Sequence, residues 1–279
     1  MTYSRSSVPD RTLLVGCGQV GSQLGEQLIT AGSQVAALRR NPSQLPSTFT
    51  RLAVDLLQPT PDTLPEVDAM VVTLAPTMQD PAGGNGYLVA LQHLAQAMPS
   101  IPARVVFVSS TRVFEGQTAP RPLAEEDSVA PASQRGETLV AGEHLAVELF
   151  GAHIVRPAGI YGPGREMLIR KVFGQKPVQY ERQTNRIHQT DLVRALYAMI
   201  TLDEPPKVVH ASDQAPGALL GDVVKYIATR LKVPPPPALE PSNSGGRILS
   251  GDRLSTLVGA LTYPTYREGY DSIIDAREP

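Results

Sequence analysis

Three glycines at the spacing G-x-G-x-x-G, namely Gly16, Gly18 and Gly21, are the residues of this chain best suited to hold a ligand. They follow a short apolar run at 12–15 that reads as a buried parallel strand. They precede Val20, Leu24, Leu28 and Ile29, which recur at helical spacing until Gly32 stops the helix. In such a strand, turn and helix the first glycine permits the tight turn and the second lets backbone approach a pyrophosphate. The third lets the helix pack on the strand. Gln19, Val20 and Gly21 then present helix N-terminal N–H groups and a positive dipole end to the phosphates. A glycine turn can also join a strand to a helix with no ligand, so the next strand carries weight. Residues 34–38 read as that strand, and it ends in Arg39 and Arg40, where an NAD-binding chain places an acid on the ribose 2′-hydroxyl. Two guanidinium groups grip a 2′-phosphate that a carboxylate would repel, so the pair predicts NADP(H) in preference to NAD(H).

The elements around this loop follow an alternating rhythm from residue 11 to about 157, which predicts a doubly wound parallel α/β sheet of the Rossmann type. Residues 51–55 read as strand three and 69–75 as strand four, so Asp55, Leu74, Ala75 and Pro76 fall at carboxyl ends of strands, where ligands of such sheets collect. A Gly/Pro-rich loop at 81–86, a helix over 87–98, strand five at 104–110, a long loop at 115–131, a helix over 133–150 and strand six at 153–157 complete the series. Within the long loop Glu125, Glu126 and Asp127 read as a solvated acidic edge. Beyond Pro157 the rhythm changes: residues 161–186 carry little period and suit a ligand-covering excursion. A helix over 190–200 with Thr190 as N-cap, a seventh strand at 207–211, a helix over 218–231 and a stiff proline run at 234–237 follow. The expected division is a dinucleotide-binding domain at 11–157, with 186–212 returning to it, and a smaller C-terminal substrate-covering part at 158–185 and 213–279.

Composition narrows the class. The chain of 279 residues has a net charge of −2, so no long-range attraction draws it to nucleic acid or an anionic membrane. Its one cysteine, Cys17, lies inside the glycine loop, which excludes an intramolecular disulfide and a multi-cysteine metal site. The first ten residues lack the apolar core of a signal peptide and read as a frayed lead-in, and no run approaches transmembrane length. A cytoplasmic setting is expected, with no metal.

Four segments in order on these elements resemble the short-chain dehydrogenase/reductase superfamily in its extended form, which includes nucleotide-sugar epimerases and dehydratases. They are the glycine loop, Ser109-Ser-Thr-Arg-Val-Phe-Glu-Gly116, Arg156-Pro-Ala-Gly-Ile-Tyr-Gly-Pro-Gly-Arg165 and Asn185-Arg-Ile-His-Gln-Thr-Asp-Leu192. The resemblance implies that Ser110 positions a reacting hydroxyl or carbonyl. It also implies a Tyr-x-x-x-Lys pair on the following helix, the two residues sharing one helix face. Aligned on Glu143, those positions hold Arg135 and Leu139, and no tyrosine of the chain has a lysine four residues on. Arg135 keeps its proton at any working pH, so it can bind an anion or polarise a carbonyl but cannot act as a base. The chain therefore resembles the atypical subgroup, which keeps the cofactor fold with the active-site pair lost or altered.

Other residues could carry chemistry. Tyr161, just past strand six, reads as a wall of the substrate cleft or as a substitute catalytic group; Lys171 and Lys176 read as solvated charges, and His188 as a structural hydrogen-bonding residue. Arg156 and Arg186 either balance buried carboxylates or face an anionic substrate. The resemblance implies an NADP-dependent oxidoreductase or epimerase/dehydratase-like enzyme, with Ser110, Arg135 and Tyr161 as candidate catalytic residues. Its substrate would be a small molecule, anionic or sugar-like. The vacant pair leaves a second reading, a non-catalytic NADP(H)-responsive binding or regulatory protein, monomeric or homodimeric.

Overall fold

A computed structural model describes residues 7–59, 63–76, 84–117, 119–214, 217–240 and 245–277. The loop expected at 81–86 and the N-terminal lead-in lie partly outside these residues. Two compact units divide the chain. One comprises Met1–Gly116, Val129–Arg156 and Val193–Val209; the other comprises Gln117–Ser128, Pro157–Leu192 and His210–Pro279.

The elements run β1 (Arg11–Val15), α1 (Gln19–Thr30), β2 (Gln34–Arg39), β3 (Thr50–Ala53), β4 (Ala69–Val72), α2 (Gly86–Ala97), β5 (Arg104–Val108), α3 (Gln134–Phe150) and β6 (His153–Pro157). They continue β7 (Gly159–Tyr161), α4 (Met167–Phe173), β8 (Gln183–Thr184), β9 (Arg186–His188), α5 (Gln189–Thr201), β10 (Val208–Ala211), β11 (Ala218–Leu219), α6 (Leu220–Leu231), α7 (Asp252–Val258) and α8 (Tyr266–Asp275). Seven strands form one sheet in the order β10-β6-β5-β4-β1-β2-β3. The pairs from β3 across to β6 are parallel. This is the doubly wound sheet that the alternation predicts. The chain moves outward from β1 to β3 and then restarts at β4 on the other side of β1, so the order reverses at the carboxyl ends of β1 and β4. Ligands of such sheets collect there.

Continuous apolar runs explain the central strands. Leu13, Leu14, Val15, Met70, Val71, Val72, Val106 and Phe107 are at most 1% exposed, as strands covered on both faces must be. Tyr87, Ala90, Leu91 and Leu94 of α2 pack into one cluster with Leu13, Val15, Met70, Val72 and Phe107, each large side chain contributing about 1.5–3 kcal/mol of burial. Helices approach one another closely where glycine leaves room: a Cβ on Gly142 of α3 would overlap the ring of Tyr87. Gly32 has φ +101° and its N–H donates to the Ile29 carbonyl, closing α1 in the conformation that favours glycine.

In the second unit β7 pairs parallel with β9, and β8 antiparallel with β11. Tyr161, Ile169, Val172, Val223, Val224, Ile227, Tyr270 and Ile273 form its core, so the excursion at 161–186 carries its own short elements and apolar packing. Two local expectations are corrected. Helix α5 begins at Gln189, which places Thr190 in its first turn and not at the N-cap. Glu125 is no solvated edge: its side chain is 4% exposed, its Oε1 accepts from the His210 N–H at 2.9 Å, and burial raises its pKa. Glu126 is exposed beside Arg253, and Asp127 takes a bidentate grip from exposed Arg121.

Helix α1 lies against β1 through Gly25, where a Cβ would overlap the buried Phe49 ring and come within 2.9 Å of Leu14 Cδ1. Gly25→Ala is therefore expected to lower the unfolding free energy by about 1–3 kcal/mol despite its better helix propensity, as an overpacked core does. Urea unfolding of the two proteins checks this.

Candidate functional site

Gly16 turns the chain out of β1 at φ +74°, and its N–H donates to the Leu38 carbonyl at 3.0 Å. Any Cβ there would stand 3.0 Å from the Thr73 carbonyl oxygen, so both the backbone conformation and the space exclude a side chain. Gly18 is the N-cap of α1 with no side-chain cap, the first turn holds no acid, and a Cβ on Gly18 would meet nothing within 4 Å. The helix therefore opens its N-terminal amides and dipole onto free space beside the second glycine, as anion binding requires. Gly21 has a packing role: its Cβ would lie 3.0 Å from Cys17 Sγ. Cys17 is fully buried and burial pushes its thiol pKa up, which removes thiolate reactivity from the loop.

A cavity of about 620 Å³ opens at this point, lined by Gly16, Leu38, Arg39, Arg40, Asn41, Val54, Asp55, Leu56, Thr73, Leu74 and Ala75. Carboxyl ends of β1, β2, β3 and β4 supply the whole wall. Of the residues expected to hold a cofactor, Gly16, Arg39, Arg40, Asp55, Leu74 and Ala75 lie on it; Gly18, Gln19, Val20 and Gly21 form the adjoining helix start, and Pro76 is not on the lining. Arg39 is half-buried and Arg40 exposed, and no acid ends β2. Asp55 accepts the Leu57 N–H at 3.1 Å, which shapes the turn after β3. Sequence reasoning missed Leu38, Asn41, Val54, Leu56 and Thr73. Asn41 is marked only by following the arginines, and nothing in its spacing singles out Thr73.

Ser109 and Ser110 end β5 with opposite fates. Ser109 is 7% exposed and its hydroxyl donates to Glu143 Oε1 at 2.5 Å. Glu143, on α3, also receives Arg156 Nε at 2.9 Å and Nη2 at 2.7 Å, and both charged side chains are under one-tenth exposed. The Arg156 guanidinium lies 5.2 Å from the ring centre of Phe114. Arg156 thus balances a buried carboxylate. Ser110 is half-buried and accepts the Arg112 N–H at 3.2 Å, capping a short 3₁₀ turn, Thr111–Phe114, and keeping its own O–H as a donor. Arg135 is exposed in the first turn of α3, and Leu139, one turn on, is 2% exposed.

Tyr161 belongs to the second unit, whereas Ser110 and Arg135 belong to the first. Its hydroxyl donates to the Thr265 carbonyl at 3.4 Å, and its ring stacks on Tyr270 at 4.8 Å and meets His188 edge-on at 5.2 Å. Burial raises the phenol pKa, so it releases no proton near neutral pH. His188 Nδ1 accepts the Thr190 N–H, and burial lowers the imidazole pKa to about 4. Lys171 is half-buried on α4 and Lys176 exposed beyond it. Arg186 donates to Thr184 Oγ1 at 2.6 Å and lies 5.5 Å from the Tyr266 ring centre. Its charge acts on buried Asp213, yet burial prevails and holds that carboxyl up at about 7. Asp191, fully buried, accepts the N–H groups of Thr262 and Tyr263 and so anchors the chain before α8.

Over residues 11–183, more than half of the chain, the sequence matches the RmlD substrate binding domain family. The chain belongs to that family. It is an atypical member of the short-chain dehydrogenase/reductase superfamily, as its motifs and sheet imply. It is 28% identical to protein YeeZ of Escherichia coli (strain K12) over 265 residues, 89% of this chain and 94% of YeeZ. It is 28% identical over 223 residues to dTDP-4-dehydrorhamnose reductase of Mycobacterium tuberculosis (strain CDC 1551 / Oshkosh), covering 74% of this chain and 70% of the reductase. A protein of Methylobacillus flagellatus, proposed to be an NAD-dependent epimerase/dehydratase, shares the fold with a TM-score of 0.77 at 24% identity, over 98% of this chain and 100% of that one. Among the described residues, no helix is long and apolar enough to cross a membrane.

Two outcomes follow. Glu143→Gln should cost about 3–5 kcal/mol of stability, because it strands a buried guanidinium; the paired Glu143→Leu, Arg156→Met variant should recover most of it, and urea unfolding of the three proteins checks the order. For Asp213, the folded pKa of about 7 exceeds the ordinary 3.8, so the folded state keeps a proton that the unfolded chain has lost. Stability then falls as pH rises from about 4 to about 7 and levels off above. Asp213→Asn should abolish this descent, gaining on the order of 2–4 kcal/mol over wild type by pH 8. Reading the difference between the two proteins across pH removes the opposite slope from His188, whose lowered pKa makes stability rise with pH over the acid part of that window.

Proposed function

We propose that this protein binds NADP(H) and acts as an oxidoreductase or epimerase/dehydratase-type enzyme on a small sugar-nucleotide-like molecule, without the Tyr-x-x-x-Lys pair. One observation carries the reading: the cavity at the strand ends joins an uncapped helix start beside Gly18 to Arg39 and Arg40, with no acid at the end of β2. The residues fit the cofactor. Gly18, Gln19, Val20 and Gly21 would receive its pyrophosphate, Arg39 and Arg40 its 2′-phosphate, and Asp55, Leu74 and Ala75 would border it. When bound, the nicotinamide supplies or accepts the hydride. Ser110 would orient the reacting oxygen through its free O–H, and Arg135 would add positive charge without exchanging a proton. Residues 11–157 with 186–212 form the dinucleotide-binding part in this reading, and 158–185 with 213–279 the part that covers substrate, with Tyr161 as a wall residue. Membership of the RmlD family and the likeness to a dTDP-4-dehydrorhamnose reductase support the substrate class.

A second reading, a non-catalytic NADP(H)-responsive protein, is favoured by the exposed Arg135 and the buried Leu139 at the pair's positions. Hydride transfer to a 4-keto sugar nucleotide, followed as loss of NADPH fluorescence, separates the two. Titration tests what they share. Wild type should bind NADPH at least about tenfold tighter than NADH, one charge-assisted contact being worth about 1.5–3 kcal/mol. Arg39→Asp should reverse the order. Equal affinities in the wild type would remove the preference, and no binding of either dinucleotide would remove both readings.

A further inference from the structure

The glycine turn is held from the neighbouring strand. Thr73 follows β4 directly, and its N–H donates to the Val15 carbonyl at 2.9 Å, extending the β1–β4 ladder by one residue. Its hydroxyl lies 3.0 Å from the Val15 carbonyl oxygen and 3.1 Å from that of Gly16, so a single O–H is shared between the two carbonyls that bracket the turn. Its own carbonyl oxygen would stand only 3.0 Å from a Gly16 Cβ, in close contact with it. Thr73 thus meets the turn through both its side chain and its backbone while lining the cavity beside Leu74 and Ala75. A strand-end carbonyl is normally turned toward solvent or ligand; here a side chain takes it up and fixes the direction in which the loop leaves β1.

We propose that Thr73 is the positioning residue of the glycine loop: its hydroxyl holds Gly16 in the left-handed conformation and so sets where Gly18 and the start of α1 stand for the pyrophosphate. This rests on the NADP(H) reading for its consequence in binding, though not for the clamp itself. Because the clamp acts on the loop and not on the ribose end, it weakens both dinucleotides alike and leaves their ratio unchanged.

The test compares Thr73→Val, which keeps the branched shape and deletes the hydroxyl, with Thr73→Ser, which keeps the hydroxyl. Two quantities are read on the full chain: hydrogen exchange of the peptide spanning Gly16 to Gly21 without cofactor, and the Kd for NADPH and NADH. Loss of one shared hydrogen bond should speed exchange about threefold to tenfold in Thr73→Val and raise both Kd values by a similar factor. Thr73→Ser should stay within about twofold of wild type. Unchanged exchange in Thr73→Val overturns the proposal. So does faster exchange with unchanged affinity, which leaves the hydroxyl a merely structural role. Weaker binding with unchanged exchange would make Thr73 a contact and not a clamp, and also overturns it. If Thr73→Val does not fold, Thr73→Ala against Thr73→Ser supplies the same comparison. If wild type binds neither dinucleotide, the functional reading fails, and the exchange comparison still decides whether the clamp exists.

Discussion

The ion pair between Glu143 and Arg156 is the interaction on which the geometry of the first unit depends most. Each partner is under one-tenth exposed, and the desolvation of two such charges is offset only when their hydrogen-bonding capacity is well used. Here Glu143 accepts two bonds from the guanidinium and one from Ser109, so one carboxylate ties α3 to the ends of both β5 and β6. Arg156 in turn lies against Phe114 of the 3₁₀ turn that begins after Ser110. The backbone that presents Ser110 is therefore held by buried Ser109 on one side and Phe114 on the other. The helix that carries Arg135 and Leu139 is thus held one helical turn beyond Leu139, by the buried pair.

The glycine-loop side of the unit depends on backbone and the β5–α3 side on side chains, and this difference governs how legible each was. Parallel strands buried on both faces read as continuous apolar runs, so β1, β2, β4, β5 and β6 could be inferred from 12–15, 34–38, 69–75, 104–110 and 153–157. Gly16, Gly18 and Gly21 were legible because each answers a different steric demand, visible as a left-handed φ at Gly16, open space at Gly18 and a sulfur atom against Gly21. The role of Thr73 was not legible, since a hydroxyl that reaches carbonyls 57 and 58 residues away leaves no local pattern. Glu125 shows the opposite failure. Three consecutive acids suggest a solvated edge, yet the first turns inward to the His210 amide, with Arg253 3.8 Å away, while Glu126 stays exposed beside Arg253 and Asp127 meets exposed Arg121.

Burial also sorts the titratable residues that could have replaced the missing pair. Tyr161 and His188 lie in one aromatic cluster of the second unit, and desolvation moves each away from neutrality in the direction of its uncharged form, phenol upward and imidazole downward. Asp213 is the exception, since its carboxyl is held at about 7 with Arg186 only partly compensating. In the motif Arg-Ile-His-Gln the sequence reads His188 as a structural hydrogen-bonding residue, and the structure agrees. Three-dimensional packing makes its histidine a hydrogen-bond acceptor for Thr190 and a ring against Tyr263.

The two altered positions on α3 are not equivalent, and this bears on how the chemistry could have changed. Arg135 is exposed, so a tyrosine there would need only space and a partner to lower its pKa. Leu139 is 2% exposed, so a lysine there would carry an ammonium into an environment that removes its hydration, and Glu143, one turn on, is already engaged by Arg156 and Ser109. The leucine therefore stabilises the cofactor-free fold where a lysine would destabilise it. Arginine at 135 without lysine at 139 forms a matched state of the helix, with a fixed charge at its solvent end and an apolar side chain beneath.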